Sequence, residues 1–310
     1  MTFIIHANLD CEATWAGVPL PAQVRDRISA FGWLLAALAP ARDDIELWTP
    51  AAIEPRRLHV PAGWAAPRLC AGTPARADLR WASPGARAAN DRRLALAVAR
   101  DAGCVVPGAR VIHDVRELET SQGPWVCKVP WTSAGRDRCH GNGAPDAEQA
   151  TYLTRLLAKH GALVFEPWLE RTFDLGVCAM VHGDGSTSAE QPHRLLTDRR
   201  GRFRGIDLTP PELLDRERAQ LDRAIAATGD ALAKLAYQGP FTIDAFGYRV
   251  DGERRFHPLC EINARHSFGL IARALGRRLG IRELGFGPAP DDATTLIAPG
   301  RDGATAWVRA

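Results

Sequence analysis

The chain of 310 residues lacks any apolar run approaching the eighteen or so residues of a membrane-spanning helix; Trp33–Ala39 is short and amphipathic in its context. No membrane partner is expected. The amino terminus, MTFIIHANLD, carries neither a basic stretch nor a signal-type cleavage site, so export is not expected and a cytoplasmic location is. Seven cysteines, an odd number without a C-x-x-C pair, suggest neither a disulfide framework nor a zinc site and suit a reducing compartment. There is no G-x-x-x-x-G-K-[ST] loop, no internal repeat and no low-complexity tract. With a net charge of +3 and no block of basic residues, nucleic acid is not an expected partner. Lysine is scarce beside arginine, which draws attention to Lys128, Lys159 and Lys234.

What is present is ordinary for a globular protein: 46% hydrophobic and 24% charged residues, in a length suited to two or three folding units. Phe3–Ile5 reads as a strand. Over Pro21–Leu38 the positions Val24, Ile28, Phe31, Leu34, Leu35 and Leu38 form a helical stripe, and Ile45–Trp48 reads as a second strand. Strand, helix, strand predicts a small α/β unit in which His6, Cys11 and Glu12 are read as structural residues rather than a substrate site. Asn90 is the expected N-cap of a helix that stops near Gly103, before the extended Val105–Gly108.

Trp125–Pro130 is a strand with Lys128 in its middle, followed by a loop, Trp131–Pro145, containing Ser133, Gly135, Gly141 and Gly143. A lysine beside such a loop offers an ammonium and free backbone N–H groups to a polyphosphate. Cys139 and His140 are two metal-ligand types without further partners and are read as incidental. Asp146–His160 predicts an amphipathic helix, Ala162–Leu169 a strand ending in an acid and an aromatic, and Pro210–Tyr237 a long helical region. Five arginines between 194 and 204 are read as a solvated hairpin, with an anion site as the alternative.

The most informative stretch is Phe241–Gly269. Apolar runs Phe241–Val250 and Phe256–Ile262 flank Asp251-Gly252, a hairpin-turn signal. Alternation puts Glu261 and Asn263 on one face. If the hairpin closes about Gly252 and Glu253, Asp244 lies across from Glu261; a tighter turn sets it across from Leu259, reaching Glu261 diagonally. Either way two carboxylates and a carboxamide converge. Opposed like charges ask for a cation, and all-oxygen donors suit Mg²⁺ shared with phosphates. Arg265 follows with a fork suited to phosphate oxygens.

Asp244, then CEINAR at 260–265 with Gly269 beyond, resembles the magnesium-binding end of the ATP-grasp superfamily, many members of which read D…E-x-N-x-R. Asp91-Arg92, Lys128 with its glycine loop, the Glu166-x-x-Leu169 spacing and Asp174 follow in the order that the resemblance requires. It covers about residues 85–275 and implies an α/β (α+β) fold in which two α+β subdomains grip ATP, preceded by a small α/β domain. The expected segments are 1–84, then 85–168 with the linker helix and first subdomain, then 169–310 with the second subdomain and magnesium site. By resemblance, Asp244, Glu261 and Asn263 are the ligands of Mg²⁺, with Mn²⁺ as an alternative metal. Arg92, Lys128, Ser133 and Gly135 contact phosphates; Glu166, Trp168 and Leu169 line the adenine slot; Asp174 bonds the ribose; and Lys128 and Arg265 are the catalytic cations. Arg92 stands where lysine is usual.

The implied chemistry is ligation: a carboxylate is activated by ATP as an acyl phosphate, ADP is released, and an amine displaces phosphate to form an amide. Small carboxylates and amines, amino acids or short peptides by default, are the expected partners; the oligomeric state is not readable, a homodimer being one option since relatives are often dimers. The alternatives are a phosphotransferase acting on a small metabolite and an ATP-binding protein without turnover.

Overall fold

The computed structural model describes residues 1–61, 64–132, 137–198 and 201–310, and the chain packs as two compact units. The first holds Met1–Ala86, Gln191–Pro210 and Arg265–Ala310; the second holds Arg87–Glu190 and Pro211–Ala264. Residues 191–210 and 265–310, which the sequence reading placed within the second subdomain, pack with the amino-terminal segment. Among the described residues no helix is long and apolar enough to cross a membrane.

In the first unit four parallel strands lie in the order Arg68–Ala71, Ile45–Thr49, Phe3–His6, Leu79–Arg80. Parallel neighbours need a crossover. The stripe expected over 21–38 provides it, as an α-helix Ala22–Gly32 continued by a 3-10 helix Trp33–Leu38. The change of winding falls at Gly32, where a Cβ would approach that of Ala7 to 2.8 Å. Leu34 and Leu35 are buried with Ile5 and Leu47. A second, antiparallel set runs His193–Thr197, Phe203–Asp207, Glu283–Phe286, Ala306–Arg309, Thr294–Ile297. The carboxyl-terminal tail beyond Pro288 supplies two of these strands, Thr294–Ile297 and Ala306–Arg309. Helix Phe268–Leu279 is capped by Ser267, whose Oγ accepts from the Leu270 N–H, and ends on left-handed Gly280.

The second unit contains two antiparallel sheets. One runs Arg110–Ile112, Leu163–Pro167, Pro124–Lys128, Arg138–Asn142 and carries helix Ala147–His160, which Asp146 and Gln149 cap reciprocally. The other joins Thr187–Ala189, Glu170–Val181, Gly239–Val250 and Glu253–Asn263 in that order. Helices Arg92–Asp101 and Asp215–Lys234 pack on it. The first of these is capped by Asp91, whose carboxylate accepts from the Arg93 N–H, and not by Asn90 as the sequence suggested. Asn90 is buried and donates to the Ala264 carbonyl instead.

The hairpin register combines both sequence alternatives. Val250 faces Glu253 across a two-residue turn, Asp251 (φ 50°) and Gly252 (φ 79°), the pair of left-handed residues that type I′ turns require. That tight turn sets Phe246 opposite His257, and continued unchanged it would set Asp244 opposite Leu259. The ladder instead shifts between Phe246 and Asp244, so that Pro258, Leu259 and Cys260 together span the place of Ala245 and Asp244 faces Glu261. Pro258 has no N–H to give a ladder, and a bulge on an edge strand is where such a residue is tolerated.

A Cβ on Gly252 would meet nothing within 4 Å, so replacement there is opposed by backbone conformation alone. Gly252→Ala is expected to cost about 1–2 kcal/mol, read as a lowered urea midpoint with an unchanged m-value.

Candidate active site

The second unit gathers its polar groups on one face of the three-stranded region around this bulge. Asp174, Phe246 and His257 are aligned across neighbouring strands, and one step along, Gly176, Asp244 and Glu261 are aligned in turn. Asn263 lies diagonally beyond, with its Nδ2 3.4 Å from Asp244 Oδ2. The three side chains expected to hold a metal therefore share one patch, half-buried rather than sealed.

Opposed carboxylates repel, and here the structure supplies part of the compensation. Arg92, at the start of its helix, donates through Nη2 to Glu261 Oε1 at 2.9 Å. The same guanidinium donates to the carbonyls of Val129 (3.0 Å) and Thr132 (2.7 Å), and its side chain is 10% exposed. The arginine expected at phosphate is thus committed to a carboxylate and two carbonyls. One oxygen of Glu261, the Asp244 carboxylate and the Asn263 carboxamide form an all-oxygen donor set of the hardness that Mg²⁺ takes, provided the carboxamide turns its oxygen inward. Among the described residues no three His, Cys, Asp or Glu side chains gather as a metal-binding group, so Cys139 and His140 find no partners there. His140 instead packs edge-on to Trp168, ring centres 4.6 Å apart.

Beside this patch lies a narrow cleft, bounded entirely by residues of the second unit. Glu166, Trp168 and Leu169, the expected slot residues, form one side, with Val126, and Phe246 and Leu259 form another. Lys128 reaches Glu166 from the neighbouring strand, Nζ to Oε2 2.6 Å. Burial raises the Glu166 carboxyl. The charge and hydrogen bond of Lys128, with His257 and Arg171 nearby, outweigh that and hold it below the usual carboxylate range. Asp174 does not line the cleft itself; it pairs with Arg171 at 2.8 Å, and Arg171 lies over the Phe246 ring, 4.0 Å from its centre. Cys260 also borders the cleft, but burial pushes its thiol up despite Arg171, so it is not poised as a nucleophile. Ser133 and Gly135, expected on the phosphates, lie outside the described residues.

Arg265 belongs to the first unit. Its guanidinium bonds Glu12 Oε1 (Nε 2.8 Å, Nη2 2.7 Å) and lies over Trp81, both partners of the ion pair being nearly buried. Glu12, read from the sequence as structural, is therefore the partner of an expected catalytic residue.

No family model matches the chain, and no curated protein matches it in sequence. Solved structures do. Phosphoribosylamine–glycine ligase from Thermotoga maritima superposes with a TM-score of 0.55 at 14% identity, covering 99% of this chain and 90% of that one. A pyruvate carboxylase from Rhizobium etli gives 0.60 at 12% identity, covering 99% of this chain and 35% of that one. The chain has the ATP-grasp fold. N5-carboxyaminoimidazole ribonucleotide synthetase from Thermus thermophilus agrees, with a TM-score of 0.50 at 16% identity over 100% of this chain and 88% of that one. The chain spans 62% of the length of a biotin carboxylase from Campylobacter jejuni.

Within the ATP-grasp fold, Arg171, Phe246, His257, Leu259 and Cys260 are cleft residues that sequence reasoning did not single out. Alternation back from Glu261 through Leu259 to His257 would have found two of them. His257 is buried, its Nδ1 3.1 Å from the Cys104 carbonyl oxygen. Burial first, then Lys128 and Arg171, hold it at about 4 despite Glu166 and that carbonyl. Burial, with Arg80 and Arg273 respectively, likewise lowers His6 to about 4 and His193 to about 3.

The folded values lie below the ordinary 6.5, so between about 4 and 6.5 the unfolded chain binds more protons. Stability is full above 6.5 and falls as pH drops, by about 1.4 kcal/mol per pH unit per histidine inside that window. Urea denaturation across this range should show the slope, and His257→Gln should lessen it by one histidine's share while His6 and His193 maintain the rest.

Proposed function

We propose that the chain is an ATP-dependent ligase that activates a small carboxylate as an acyl phosphate, releases ADP and joins the acyl group to an amine. One observation carries this reading: Asp244, Glu261 and Asn263 share a face that runs directly into the cleft bordered by Glu166, Trp168 and Leu169, within a single unit. The ATP-grasp fold supports it. Mg²⁺, when bound, would neutralise phosphate charge at Asp244, Glu261 and Asn263.

The cleft is proposed to open for an adenine: Trp168, Leu169, Val126 and Phe246 line it beside Glu166, Arg171 and His257, and main-chain groups near Leu169 are proposed to read the edge of the base. Trp168 is set in place by its own N–H, which donates to the Pro124 carbonyl at 2.8 Å. Lys128, held by Glu166, is proposed to serve the phosphates, exchanging or sharing that partner when nucleotide arrives. Arg171 keeps Asp174 oriented, and Asp174 is proposed to take the ribose hydroxyls. Arg265 is proposed to steady the transferring phosphoryl group, its plane fixed beforehand by Glu12. Arg92 acts as a positioning residue, since its guanidinium holds Glu261.

Such transfer draws its rate from positioning and charge stabilisation, which agrees with a cleft in which burial pushes the Cys260 thiol up. The amine and carboxylate are taken to be amino acids or short peptides.

A phosphate-release assay with pooled carboxylates and amines tests the reading. Release requiring one of each, with Mg²⁺, is expected. ADP formed without inorganic phosphate would replace ligation with phosphotransfer. Lys128→Ala should lower turnover by about 100-fold or more, and Asp244→Asn should raise the Mg²⁺ concentration needed for half-maximal rate by about tenfold. Normal rates in both variants would overturn the assignment.

A further inference from the structure

The parallel sheet of the first unit changes direction at its first strand. From Phe3–His6 the chain moves to Ile45–Thr49 on one side and on to Arg68–Ala71, and only afterwards fills the other side with Leu79–Arg80. Ligands of open parallel sheets sit beyond the carboxyl ends of strands at such a reversal. The segment leaving the carboxyl end of Phe3–His6 borders an open pocket of about 320 Å³, lined by residues between Asp10 and Arg25.

Two opposite charges face that space without meeting. Asp10 occupies the N-cap position of the short helix Cys11–Trp15, yet its side chain makes no capping hydrogen bond. Arg25 enters from the helix Ala22–Gly32. Each feels the other's charge, but among the described residues no ion pair joins them. Burial first, and then Glu12, push the Asp10 carboxyl up, with its own N–H and Arg25 acting against them. An ammonium brought to Asp10 would relieve that cost. Between the charges the lining is aliphatic: Ala13, Val18, Pro19 and Leu20.

We infer that this pocket is a binding site for a free α-amino acid with an aliphatic side chain. Asp10 takes the ammonium, Arg25 takes the carboxylate with its fork, and the apolar lining takes the side chain. Both charged groups of the ligand contribute, because each supplies the counter-charge of one of the two side chains. The site stands on the first unit alone and does not depend on the nucleotide reading.

The test is calorimetric titration of the full chain with L-leucine, without nucleotide, beside N-acetyl-L-leucine and L-leucinamide. Leucine is expected to bind, and each blocked analogue, lacking one charge, to bind about tenfold more weakly or not at all. Asp10→Asn and Arg25→Gln should each lower leucine affinity by about tenfold or more, with circular dichroism unchanged because both side chains lie at the surface or half-buried. Lys128→Ala should bind leucine as the unaltered chain does. Absence of leucine binding, equal binding of the analogues, or unchanged affinity in both charge variants would overturn the site. None of these outcomes bears on phosphate release.

Discussion

Two carboxylates set face to face on neighbouring strands are the constraint around which the second unit is arranged. At about 5 Å and an effective dielectric near 20, such charges repel by about 3 kcal/mol. A structure keeps an arrangement of that kind only where something positive offsets it. Arg92 offsets it from one side, through the start of a helix that packs on the same hairpin strand. A divalent ion is proposed to do so from the other. The bulge at Pro258–Cys260 follows from the same requirement: without it the tight turn would leave Asp244 opposite a leucine and the pair of acids out of step.

The remaining polar groups of the cleft are pre-positioned in pairs. Lys128 has Glu166 and Arg171 has Asp174, with Arg171 the most exposed of the four. Pairs of this kind add little net stability, because desolvation consumes most of the attraction. Their effect is on geometry. Each long side chain is held in one place with its charge balanced, so that an arriving anion meets cations already in position. The Glu12–Arg265 pair does the same in the first unit. Around these groups the apolar walls lower the local dielectric, which strengthens each interaction and keeps His257 neutral.

Much of this was legible along the chain because it rests on local rules. Alternation put Glu261 and Asn263 on a common face, and Asp251-Gly252 announced the turn. The order of Lys128, Glu166, Trp168, Leu169 and the hairpin acids anticipated both the fold and the lining of the cleft. Where reading failed, two local solutions were nearly equal in merit and a distant contact chose between them. Asn90 and Asp91 are both good caps; the Ala264 carbonyl claimed the first and left the helix to the second. The turn allowed two registers, and a proline seven residues past its first residue decided which acids met.

By itself the sequence determined the hairpin, the donor types and the strand that carries Lys128, because turn chemistry and side-chain alternation act between near neighbours. Tertiary structure alone decided that Arg92 would grip Glu261 and not stand free for phosphate. It also decided that Glu12 would meet Arg265 across 253 positions of chain, and that residues 191–210 and 265–310 would pack with the amino-terminal segment. Those pairings join residues far apart along the backbone. No periodicity or spacing encodes them, since they are fixed only when buried charges must find partners as the core closes.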